Sequence, residues 1–153
     1  MKKFKFLLGL IMVLSIQPLL AQEQDKQYFS TTVHGSFEEI VEKVTDNLFE
    51  QGFGIVTEID LADRIKDKLG DVSMKPYKIL GPCIAKYAYE AYKVEENIGF
   101  ILPCRVIIKD LGNNKVEVMM ENPTKLMLVK ENPELMKITT DVKLKYLAVL
   151  DAL

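Results

Sequence analysis

Two residues of this chain have side chains suited to covalent or soft-metal chemistry, and they sit in matching contexts. Cys83 ends Gly81-Pro82-Cys83 and Cys104 ends Leu102-Pro103-Cys104, and the chain has no other cysteine. Each thiol follows a proline at the edge of an apolar run. Three kinds of chemistry compete for such a pair. The thiols can simply pack. They can form a disulfide across 21 residues of separation, worth about 3 kcal/mol on the chain-entropy model. Or they can act as a reactive couple, Cys83 attacking and Cys104 resolving, or jointly hold a soft metal or haem iron. The two positions differ. Cys83 precedes an alanine-rich helical stretch, and a helix N-terminus favours thiolate. Cys104 is in phase with Phe100, Leu102, Val106 and Ile108, which predicts an inward, apolar setting and an inert thiol.

Little else in the chain has the makings of catalysis. A single histidine, His34, excludes a multi-histidine metal centre. A Ser-His-Asp arrangement could use only His34; the nearby Ser36 is better explained as a helix cap, and His34 as a strand-end residue. There is no Gly-rich phosphate loop, no GxSxG and no Cys-x-x-Cys. The pairs Glu38-Glu39 and Glu95-Glu96 read as solvated surface. Met119-Met120 and Leu126-Met127 read as soft apolar contact, in a core or between subunits.

The elements that must position the thiols follow from pattern. Tyr28–His34 is rich in β-branched and aromatic residues and predicts strand 1. Ser36-Phe37-Glu38-Glu39 is a capping box, and Phe37, Ile40, Val41, Val44 and Leu48 follow at helical spacing, so a helix spans 37–51 before Gly52. Strand 2 is expected over 53–59, with Phe53, Ile55 and Ile59 on one side. Asp60 can cap a short helix carrying Leu61, Ile65 and Leu69. Tyr77–Leu80 predicts strand 3, Ile84–Tyr92 a helix, and Phe100–Lys109 strand 4. Gly112-Asn113-Asn114 turns strand 4 into strand 5, Lys115–Glu121. There Val116, Val118 and Met120 share one face, which implies an antiparallel sheet with one face in water. Asn132 and Pro133 start a last helix, whose stripe runs through Leu135, Ile138, Val142, Tyr146, Val149 and Leu153. The order predicts an α+β fold: a two-layer sandwich, with helices packed on one face of a mostly antiparallel sheet of about five strands.

The first 21 residues predict a secretory signal. Lys2, Lys3 and Lys5 are followed by an apolar run over Phe6–Ile16, a break at Pro18, and the small Ala21 before Gln22. The run is too short for a bilayer span of about 20 residues. Residues 22–27 are a polar lead-in, and 28–153 form one domain. Removing 21 of the 153 residues takes away three of 20 basic residues and no acid. The remaining 17 bases against 22 acids give a mature net charge of −5. That argues against nucleic acid and anionic membrane as partners. The expected location is periplasmic or secreted.

With Phe37, Leu48 and Gly52-Phe53, then Ile79-Leu80-Gly81-x-Cys83, Gly99-Phe100-x-Leu102-Pro103-Cys104-x-Val106 and Glu121-Asn122-Pro123, the chain resembles the domain of unknown function 302 family from Tyr28 to Leu153. The resemblance implies a small α+β domain, a homodimer, no established activity, and importance for Cys83 and Cys104. Two departures stand out. The family commonly has Cys-Asn-Pro where this chain has Cys83-Ile84-Ala85, and Asp-Pro where it has Asn122-Pro123; a polar ligand site built on that asparagine and aspartate would be weakened here. The expectation is a non-enzymatic module that binds a small apolar ligand or a partner protein beside Cys83 and Cys104. The alternative is a thiol-based redox or soft-metal or haem-handling protein using the same two residues.

Overall fold

The computed structural model of the chain describes residues 26–126, 129 and 131–153. The signal segment, most of the lead-in and Met127 lie outside the described residues.

The predicted α+β sandwich is what forms. Five strands, β1 (Tyr28–His34), β2 (Gly54–Asp60), β3 (Tyr77–Cys83), β4 (Val106–Gly112) and β5 (Lys115–Glu121), make one antiparallel sheet in the order β1-β5-β4-β3-β2. Among the described residues four α-helices accompany it: α1 (Phe37–Glu50), α2 (Leu61–Leu69), α3 (Ala85–Val94) and α4 (Pro133–Asp151). Two short 3-10 turns, Glu96–Phe100 and Pro123–Lys125, flank the cysteine region. No helix among the described residues is long and apolar enough to cross a membrane.

Local chemistry sets the boundaries. The Glu39 amide donates to Ser36 Oγ at 3.3 Å, and the Ser36 amide donates to Glu39 Oε2 at 3.0 Å, which completes the capping box of α1. The Ser36 amide, and the Ser36 hydroxyl that also donates to Oε2, favour the charged carboxylate and hold Glu39 below its usual pKa. Asn132 Oδ1 accepts from the amides of Glu134 and Leu135 and starts α4. Asn113 and Asn114 both take positive φ, 54° and 57°, and close a two-residue hairpin between β4 and β5.

Val116, Val118 and Met120 of β5 are buried together with Val106 and Ile108 of β4. Against them pack Ile40, Val44 and Leu48 of α1 and Val142, Tyr146 and Val149 of α4, which forms the main core. A second, smaller core joins Ala91 of α3, Ile98, Val129 and Leu135 of α4.

Four expectations are corrected. Strand 4 does not begin at Phe100. Glu96–Phe100 turns as a 3-10 helix, the Ile98 carbonyl accepts from the amides of Ile101 and Leu102, and β4 starts only at Val106. Phe100, placed on the buried phase by alternation, is 83% exposed. Pro103 has no amide to give a ladder, which fits a start beyond it. Strand 3 runs on through Pro82 to Cys83, because β2 goes on pairing with it there, Ile55 with Pro82 and Gly54 with Cys83, while β4 pairs with it only as far as Leu80 and asks no ladder bond of Pro82. In β2 a register shift between Ile55 and Thr57 breaks the alternation, so Phe53 is buried while Ile59 is 42% exposed. In α2 the residue that packs is Ala62, and Leu69 points to solvent.

Candidate functional site

The two cores meet at a seam, and both cysteines line it. A cavity of about 40 Å³ lies there with an apolar lining. Phe53, Cys104 and Val142 bound it from the main core, Ala91 and Ile98 from the smaller one, and Cys83 closes the β3 end. The seam is held by the two proline-containing segments. Gly81 has no side chain, and a Cβ built on it would come within 2.7 Å of Pro103 Cγ and would collide with Thr57 Oγ1 as well. Glycine at 81 therefore lets Leu102-Pro103-Cys104 press directly onto the end of β3.

Cys83 is the last residue of β3 and half-buried. Ile84 lies between it and α3 as the N-cap, with no side-chain capping bond. Burial pushes the Cys83 thiol up, the opposite direction to the lowering expected of a helix start. Cys104 lies in the irregular stretch before β4 and is buried, as its phase implied, although no strand carries it there. Burial first, and then the negative charge of Glu121, push it to about 11. Both are free thiols, so the disulfide reading is not met in this structure.

Two titratable residues that sequence reasoning assigned to core and surface belong to this neighbourhood. Tyr146 is fully buried and stacks on Phe53, ring centroids 5.1 Å apart. Its hydroxyl makes no hydrogen bond of full geometry, yet it lies near enough to the Cys104 thiol for the two to perturb each other. Burial, with Cys104 beside it, raises the phenol well above its usual pKa. Glu121 is raised by burial, against the opposing pull of Arg105, whose guanidinium nitrogen lies 3.5 Å from Oε1. Glu121 Oε2 is buried without a partner. A hydroxyl on an otherwise apolar helical stripe was the available signal for Tyr146. For Glu121 there was none, because its strand phase reads as solvent-facing.

Asn122 answers one of the family departures. It is fully buried, its Nδ2 donates to the Lys26 carbonyl at 2.8 Å, and its Oδ1 accepts from Thr124 Oγ1 at 2.8 Å. Here the amide ties the N-terminal segment to the end of β5, a bond that an aspartate carboxylate cannot donate.

A five-stranded antiparallel sheet under two long helices, with a thiol-lined apolar seam at one end, defines a small α+β sandwich with a candidate binding site. Residues 29–153 match the family model described as "Domain of unknown function DUF302", and the chain belongs to that family. It is similar to the crystal structure of an uncharacterized conserved DUF302 protein from Bacillus stearothermophilus, with a TM-score of 0.74 and 25% identity over 82% of this chain and 97% of that one. No curated protein matches the chain.

Proposed function

We propose that this is an exported, periplasmic or secreted, homodimeric and non-enzymatic binding module, which receives a small apolar group at the seam beside Cys83 and Cys104. The observation that carries the reading is the cavity itself: it is apolar, and residues of both cores and both thiols form its wall. At about 40 Å³ it exceeds the ~10–15 Å³ a water needs but falls far short of a drug-sized pocket of roughly 300 Å³ or more. Its occupant is therefore a group of a few heavy atoms, or a larger apolar ligand or partner side chain for which the seam parts. A titration with benzene or xenon, followed by amide chemical shifts, is expected to saturate with the largest changes at Cys83, Ala91 and Ile98. The Cys83→Ser/Cys104→Ser double variant is expected to bind more weakly. No saturable change, or turnover of a substrate by the wild type, would sink the reading.

The meeting of two thiols in one wall also favours a second reading, a thiol-based redox or soft-metal or haem-handling role for Cys83 and Cys104. Raised thiols slow thiolate chemistry at neutral pH and count against it. Mass measurement with and without reduction, then alkylation against pH, decides between the two.

A further inference from the structure

The face of the sheet turned away from the main core carries an ordered arrangement of charge. Ile107 pairs with Met119 across β4 and β5, and neither belongs to either core. One step along the ladder Lys109 pairs with Glu117, their charged atoms 2.8 Å apart. On the other side of the apolar pair Arg105 meets Glu121. The outward residues of β4 and the residue leading into it are thus Arg105, Ile107 and Lys109, and those of β5 are Glu121, Met119 and Glu117, with Lys115 following at the hairpin end. One strand presents cations around an apolar centre, its neighbour anions around another. A hollow of about 190 Å³ opens over this face, with Tyr28 among its lining residues.

We propose that this face docks a second copy of the chain, about a two-fold axis that runs parallel to the strands between β4 and β5. The inference rests on the homodimer reading above and names its surface. Such an axis lays β4 of one protomer over β5 of its partner. Arg105 and Lys109 then each face an anion, Ile107 lies over Met119, at the ~10 Å spacing of stacked sheets, and Lys115 at the hairpin end meets no like charge, lying over Gly112. An axis across the strands would instead put β4 over β4 and β5 over β5, with like charges opposed. The face is self-complementary in the first arrangement only. Four strands of seven residues overlap, a face of roughly 19 by 23 Å. Two such faces bury about 900 Å², at the low end for specific interfaces, so the dimer should be reversible.

Sedimentation velocity of the purified protein over a concentration series tests this. Wild type should pass from monomer to dimer and shift back towards monomer in high salt. Met119→Asp should weaken the dimer at least about tenfold. Lys109→Glu alone should do the same, and Lys109→Glu with Glu117→Lys should restore it, because the exchanged pattern is again self-complementary. Wild type mixed with the double exchange should form few mixed dimers, since each position then meets its own charge: a lysine faces a lysine, and a glutamate faces a glutamate. Circular dichroism checks that each variant is folded. A monomer at every concentration overturns the proposal together with the homodimer reading. A dimer that survives Met119→Asp, or mixed dimers as frequent as matched ones, overturns this surface and leaves the homodimer reading standing.

Discussion

Gly81 and Pro103 touch where no side chain would fit: a Cβ on Gly81 would stand 2.7 Å from Pro103 Cγ. This contact joins the end of β3 to the segment leading into β4, and it brings the two cysteine-bearing segments to one wall. Gly81→Ala is expected to cost about 1–3 kcal/mol through overpacking and to lower cavity occupancy by benzene. Urea denaturation reads the first effect and a ligand titration the second. Unchanged stability would show that the segments move apart at no cost.

Thiol reactivity should follow burial. With Cys104 raised from 9.0 to about 11 and Cys83 raised as well, alkylation at pH 7 should be slow at both, and slower at Cys104. Labelling rates against pH, with mass-spectrometric assignment, check the order.

Stability should carry the same signature. A thiol whose pKa is higher in the folded than in the unfolded chain stabilises the fold fully below the unfolded value, and that contribution is lost as pH rises through the folded value. For Cys104 the window is about pH 9 to 11, and the loss approaches about 2–3 kcal/mol. Tyr146, also raised, adds in the same direction at higher pH. Denaturation midpoints measured from pH 7 to 11 should fall, and should fall less for Cys104→Ala once its own cavity cost is subtracted.

Asn122→Asp should destabilise by about 1–3 kcal/mol at pH 7, because a buried donor to the Lys26 carbonyl is lost and a charge is buried in its place. The buried carboxyl would have a raised pKa, so acidification should recover part of the loss. A variant as stable as wild type at neutral pH would remove the structural role assigned to this amide.

Ala85→Pro should stabilise by about 0.4–1 kcal/mol. Residue 85 is exposed at the first position of α3, and Ile84 before it is already extended at φ −103° and ψ 110°, which a following proline requires. A thermal melt shows the gain directly.

The sandwich was legible where one signal governs one element. Ser36 with Glu39 marks the start of α1, Asn113-Asn114 the hairpin, and the alternation of β5 the covered face of the sheet. The neighbourhood of the cysteines was legible only as a place. Alternation through Phe100, Leu102 and Cys104 suggested a strand, but Pro103 and the Ile98 carbonyl turn that stretch into a loop. Cys104 still ends up buried because the seam needs an apolar wall there. The helix start after Cys83 suggested thiolate, whereas the half-burial of its thiol raises it, since desolvation depends on what packs around a residue and not on its sequence neighbours. Glu121 and Tyr146 are joined to the thiols only by the fold.

Helix α4 belongs to both cores: Leu135 near its start sits in the smaller one, and Val142, Tyr146 and Val149 sit in the main one. Among the described residues the smaller core holds four buried residues and the main one fourteen, so the two halves of the helix have unequal anchorage there. Amide exchange should therefore be hierarchical, with α3 and the first turns of α4 opening as a cooperative unit while the last turns stay closed until global unfolding. The chain would then have a built-in order of release, in which the Cys83 side of the seam is uncovered before the sheet gives way, while Cys104 stays covered with the main core.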